Sequence, residues 1–186
     1  MKLIHLPKEI SIRHYVNEEP KTKASGESFS AEMEVIEKNR CEVLTAAIMM
    51  EDRMIEASSY ILFGVDNENV DQRQFFVDEV MATSNFSYAF KRRVFTRMLE
   101  KFNILGQAEI KKLRAGLNKI MEWRNAFAHG HVIHEKDGGF LLHYYSGGEK
   151  EIILDDEYFG MVELTIRECL YACNSVIQHP HPKPNK

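Results

Sequence analysis

The stretch "AEIKKLRAGLNKIMEWRNAFAHG" (residues 108–130), running straight into "HVIHEKDGGFLLHYYSGGEKEIILDD" (residues 131–156), decides how this chain is read. In its first half Ile110, Leu113, Leu117, Ile120 and Met121 recur at helical spacing, one apolar stripe along an otherwise polar helix. In its second half the period shortens. β-rich runs are broken at Asp137-Gly138-Gly139 and at Gly147-Gly148, which predicts a small hairpin, with room for a third strand, at about residues 131–154. Gly130 stands between the two patterns as the stop signal of the helix.

Working outward, the same helical period extends upstream. From about Phe29 to Leu62, Val35, Ile36, Leu44, Ala47, Ile48, Ile55 and Leu62 are spaced for a long helix, and Gly64 follows where a left-handed cap is needed. "DQRQFFVDEVMA" (71–82) and "FSYAFKRRVFTRMLEKF" (86–102) predict two more helices, the latter with Ser84 or Ser87 as N-cap. Downstream, Asp155 caps a last helix at about 156–178, and "HPHPKPNK" (179–186) reads as a disordered tail. Residues 1–28 are polar, carry Pro20 and Gly26, and form an N-terminal arm with room for a short strand at Leu3 to Leu6. The expectation is mainly all-α: a helical bundle of about five helices over residues 29–178, with a small β-hairpin inserted before the last helix.

With 186 residues the chain can bury a core of its own, and 44% hydrophobic with 28% charged residues is an ordinary globular mixture. The formal net charge of −4 excludes a protein that coats nucleic acid non-specifically, so any such contact needs a local basic patch. Cys41, Cys169 and Cys173 are an odd count without zinc-ribbon spacing, which fits reduced thiols. No apolar run approaches the roughly 20 residues of a membrane span, and "MKLIHLPKEISIRH" lacks a signal-peptide core. A cytoplasmic location without membrane contact is expected.

The chemistry concentrates at "EWRNAFAHGH" (122–131). Asn125 and His129 are four apart and project about 40° apart on one helix face, while Arg124 starts on a neighbouring face. A guanidinium grips phosphate oxygens in a fixed fork, imidazole passes a proton near neutral pH, and an amide can orient the histidine or contact a ribose hydroxyl. With no acidic metal cage in the sequence, the three point to metal-independent RNA cleavage in which the ribose 2′-hydroxyl is the nucleophile. Arginine and histidine also sit at helix C-termini simply to satisfy the last carbonyls, so spacing alone leaves both readings open.

"RNAFAHG" resembles the Arg-x(4–6)-His motif of the HEPN superfamily, in the form where a polar residue follows the arginine: Arg124, Asn125 and His129. The preceding "TSNFSYAFKRRVFTRMLEKFNILGQAEIKKLRAGLNKIMEW" is similar to the same region of members related to the mannitol operon repressor. The likeness covers about residues 40–130. It implies a helical bundle that forms a homodimer, two copies of the motif meeting in a composite cleft. It further implies a metal-independent endoribonuclease, of the kind found as a toxin or phage-defence component with a cognate antitoxin protein, with Arg124, Asn125 and His129 catalytic and no cofactor. The alternative it carries is a non-catalytic regulator or binding protein on the same fold, as in transcription regulation.

Other residues have weaker claims. Lys91, Arg92 and Arg93, with Arg97, form a basic stripe that could guide the RNA backbone as substrate-binding residues, or be an ordinary solvated face. Glu51 and Asp52 interrupt the apolar pattern of the first helix and are candidate partners for Arg124. His129, His131 and His134 look like a metal cluster, but His131 and His134 point to opposite faces of any strand that holds both, and no metal site is expected. Trp123 is a core or dimer-interface anchor, and with Phe127 would help to bury a contact between two copies.

Overall fold

The computed structural model describes residues 11–12, 27–83, 85–135 and 139–178. Its elements are β1 (Ser11–Ile12), α1 (Glu27–Phe63), α2 (Val70–Phe75), α3 (Tyr88–Lys101), α4 (Gln107–His129), β2 (His131–Glu135), β3 (Gly139–Tyr145), β4 (Glu149–Ile153) and α5 (Asp156–Gln178). The fold is mainly α-helical, with a three-stranded antiparallel sheet between the fourth and fifth helices, as the change of period at Gly130 predicts. The expected strand at Leu3 to Leu6, the tail 179–186, Ser84 and the Asp137-Gly138 break lie outside the described residues.

The chain gathers into two compact units, one within Met1–Glu42 and Asn125–Gly160, the other within Val43–Arg124 and Met161–Lys186. In the first, β2 and β3 pair antiparallel with Ile133 opposite Leu141, and β3 and β4 pair with Leu142 opposite Ile152. β1 was not foreseen: it adds a parallel edge, Ser11 opposite Ile133. Val132 and Ile133, and likewise Phe140, Leu141 and Leu142, are all buried, so the centre of the sheet is covered on both faces. That is why these strands read as apolar runs and not as strict alternation. The turn from β3 to β4 uses Gly147 and Gly148, both at positive φ (67° and 147°).

Among its described residues the second unit has helices and no strand. The buried stripe of α1 there is Val43, Ala47, Met50, Met54, Ala57 and Ile61, spaced three and four apart. This corrects the expected stripe: Ile48 and Leu62 are exposed, as is Val35 nearer the start of α1, and methionines take the interior positions instead. Gly64 caps α1 at φ 75°, its N–H donating to the Tyr60 carbonyl at 2.8 Å. The expected second helix runs from Val70, but from Phe76 to Met81 it winds as a π-helix, Ala82 N–H reaching back to Val77 O. Ser87 caps α3 by accepting from Phe90 N–H at 3.3 Å, and in the first unit Asp155 caps α5 by accepting from Tyr158 N–H at 2.7 Å.

α5 contributes Val162, Cys169, Cys173 and Val176 to this interior. Burial pushes both thiols up to about 12. A raised thiol pKa means the folded state holds its proton more tightly than the unfolded chain. The associated stability is complete below the ordinary value of 9.0 and falls as pH rises towards about 12. All three cysteines are free and Cys41 is exposed. Titration with a chromogenic disulfide at about pH 8 is therefore expected to find one reactive thiol per native chain and three after denaturation; three fast-reacting native thiols would contradict this burial.

Candidate functional site

The end of α4 is built by its apolar stripe. Ile110, Leu113, Leu117, Ile120 and Trp123 are buried, and the stripe continues through Ala126 and Phe127. Phe127 is fully buried, its ring 6.4 Å from those of both Tyr158 and Phe159. The same period leaves Arg124, Asn125, Ala128 and His129 exposed. All three residues of the motif thus face solvent because their apolar neighbours are held inside. Trp123 takes the core role, one of the two expected for it, and Phe127 is buried as well; the expectation that the pair would cover a contact between two copies is corrected.

Gly130 follows the last residue of the helix in a crowded place. Its N–H donates to the Ala126 carbonyl at 2.7 Å, and it is itself buried. A β-carbon there would strike the same Ala126 oxygen, and would lie 2.9 Å from both the His143 carbonyl oxygen of β3 and the Leu142 side chain. Only a residue without a side chain fits between the last turn of α4 and β3. Gly130 is therefore a packing residue as well as the residue at which the helix stops.

Glu51 is not held for Arg124; it accepts from Lys91 Nζ at 2.5 Å. Lys91 is 5% exposed, so of the expected basic stripe it turns inward, while Arg93 and Arg97 stay outside. The signal was in the sequence: Lys91, Phe95 and Leu99 are spaced by four and share the buried face of α3. Arg92 donates to the Asn118 side chain of α4, and the Arg93 guanidinium sits 5.4 Å over the Phe90 ring. Arg92, Arg93 and Arg97 share an open groove of about 510 Å³ with Arg114, which sequence reasoning missed. Arg114 donates to Glu100 at 2.5 Å.

The histidines separate. His131 lies opposite His143 in the β2–β3 register, whereas His134 meets Phe140 edge-on at 4.8 Å. Among the described residues no group of three or more His, Cys, Asp or Glu side chains could hold a metal ion. No helix among them is long and apolar enough to cross a membrane. No protein-family model, no curated protein and no solved structure matches the chain.

The contrast between the two kinds of cation on α3 is measurable. Lys91→Ala removes the partner of a carboxylate that is only 30% exposed, and should destabilise by about 1–3 kcal/mol. Arg93→Ala should change stability by less than about 0.5 kcal/mol. Thermal melting of both variants checks the difference, and equal melting temperatures would contradict it.

Proposed function

We propose that the chain is a metal-independent endoribonuclease of HEPN type, a cytoplasmic toxin or phage-defence component whose motif acts in pairs. The observation that carries this reading is the exposure of Arg124, Asn125 and His129 together at the end of one helix. Exposed polar residues of phosphate- and proton-handling type beside a rigid apolar anchor suit substrate better than internal structure.

In this reading His129 accepts the proton of a ribose 2′-hydroxyl as its oxygen attacks the adjacent phosphorus. The O2′–P bond forms, the P–O5′ bond breaks, and a protonated His129 returns a proton to the departing 5′-oxygen. The products are a 2′,3′-cyclic phosphate and a 5′-hydroxyl. Arg124 neutralises the charge gathered on the phosphorane oxygens, and Asn125 orients the imidazole. Cleavage should persist in a chelator. Arg124→Ala and His129→Ala should each lower the rate by about 10²–10⁴-fold. Cleavage that a chelator abolishes, or that both variants retain in full, would sink the mechanism. A regulator or binding protein on the same fold is the second reading, favoured by the net charge of −4. Harmless overexpression with no cleavage of any RNA tried would support it.

Helical spacing also supports a pair. Arg124 and His129 are five residues apart, so they diverge by about 140° around α4. One chain offers an arginine and a histidine to different sides, and a two-fold axis beside the helix end brings one chain's arginine towards its copy's histidine. With Trp123 and Phe127 inside, that contact rests on exposed residues such as Ala128. Light scattering at micromolar concentration should report about twice the chain mass of 21.6 kDa. A monomer that still cleaved RNA would refute the composite site.

A further inference from the structure

α3 concentrates charge that the chain as a whole does not have. Its 14 residues hold five cations and one carboxylate, in a protein of net charge −4. Lys91 is spent internally on Glu51, but the other arginines gather on one side. Arg92, Arg93 and Arg97 line the groove of about 510 Å³ together with Arg114 of α4. The one carboxylate in that lining, Glu100, is paired with Arg114. Among the described residues no carboxylate pairs with Arg92, Arg93 or Arg97. Arg93 and Arg97 also border a second hollow, of about 400 Å³, that ends at Lys101. Arg93, Arg97 and Lys101 are each four apart and exposed, a line of cations with one every ~6 Å along the helix.

The same line has an aromatic end. Phe86 and Phe90 are only partly buried, and their rings stack at 4.5 Å with planes 12° apart. The Arg93 guanidinium lies 5.4 Å over Phe90, so the flat stack runs directly into the row of arginines. Cations in a row satisfy successive phosphates; half-exposed flat rings beside them offer a surface to unpaired bases. A free polyphosphate would use the first feature and leave the second idle, and a duplex has its base faces already stacked.

We infer that Phe86 and the α3 face from Phe90 to Lys101, with Arg114 across the groove, bind single-stranded nucleic acid, a base on the free face of Phe86 and phosphates on the arginines. This deepens the ribonuclease reading by naming a strand-binding surface, yet it does not need His129 or cleavage. A fluorescent oligodeoxythymidylate of about 12 nucleotides tests it, because it lacks the 2′-hydroxyl and cannot be cut by the proposed route. Anisotropy should show binding that weakens with salt, by about 0.7 in the log–log slope per phosphate contacted. The double variant R93Q/R97Q should reduce that slope by about 1.4, two such contacts, with an unchanged melting temperature. Phe86→Leu should weaken binding about fivefold or more and leave the slope unchanged. His129→Ala should bind like the parent, so loss of cleavage and loss of strand binding are read separately. The inference is overturned by no binding at low salt, by equal affinity for a duplex of the same length, by an R93Q/R97Q slope equal to the parent's, or by tripolyphosphate displacing the strand at equal phosphate concentration.

Discussion

At Gly130 the backbone has no room for even one carbon atom beyond itself. A β-carbon there would sit against the Ala126 carbonyl, the His143 carbonyl and the Leu142 side chain at once. Two of those three atoms are backbone, which cannot step aside as a long side chain can. This close approach does two things. It marks the point where α4 ends, at His129, and it sets the helix end close against β3. Everything the end of α4 displays depends on it, because Arg124, Asn125 and His129 are exposed only while Ala126 and Phe127 stay buried on the other side.

The cations of the second unit show how one residue type divides between interior and surface. Lys91 sits on the α3 stripe with Phe95 and Leu99 and is tolerated there because Glu51 meets it. A buried ammonium without such a partner would cost several kcal/mol. Arg93 and Arg97 lie on the opposite side, where the guanidinium plane can lie on an aromatic ring and still keep its donors for a ligand. Lysine inside and arginine outside is the reverse of what charge hydration alone suggests, and it follows from the register of the helix.

Much of the fold was legible because helix and strand periods differ so sharply at Gly130. The ends of α4 and α5, the caps at Ser87 and Asp155 and the left-handed Gly64 all follow from local rules. What failed was the weighting of residue types within α1 and whatever depends on a second element. Choosing Val35, Ile48 and Leu62 for the α1 interior weighs branched aliphatics above methionine, yet Met33, Met50 and Met54 hold the better-aligned positions. β1 is two residues long and owes its place to β2, so no pattern within it could announce it. For the candidate site, the exposure of Arg124, Asn125 and His129 was readable from the apolar stripe of α4. The groove at Arg114 was not, since α3 and α4 meet there through residues separated by a turn, and spacing within one helix says nothing of the next.

The reliance of α1 on thioethers has a chemical consequence. Met50 and Met54 are almost wholly enclosed, and a sulfoxide at either would put a polar, chiral group where only hydrocarbon is accommodated. Met49, immediately before, is half exposed, and Met161 of α5 is 40% exposed. An oxidant reaching this protein meets those outer sulfurs first, where oxygen can be added and later removed without disturbing the packing. Exposure thus separates two classes of sulfur, open ones on α1 and α5 and enclosed ones one and five residues beyond Met49 on α1.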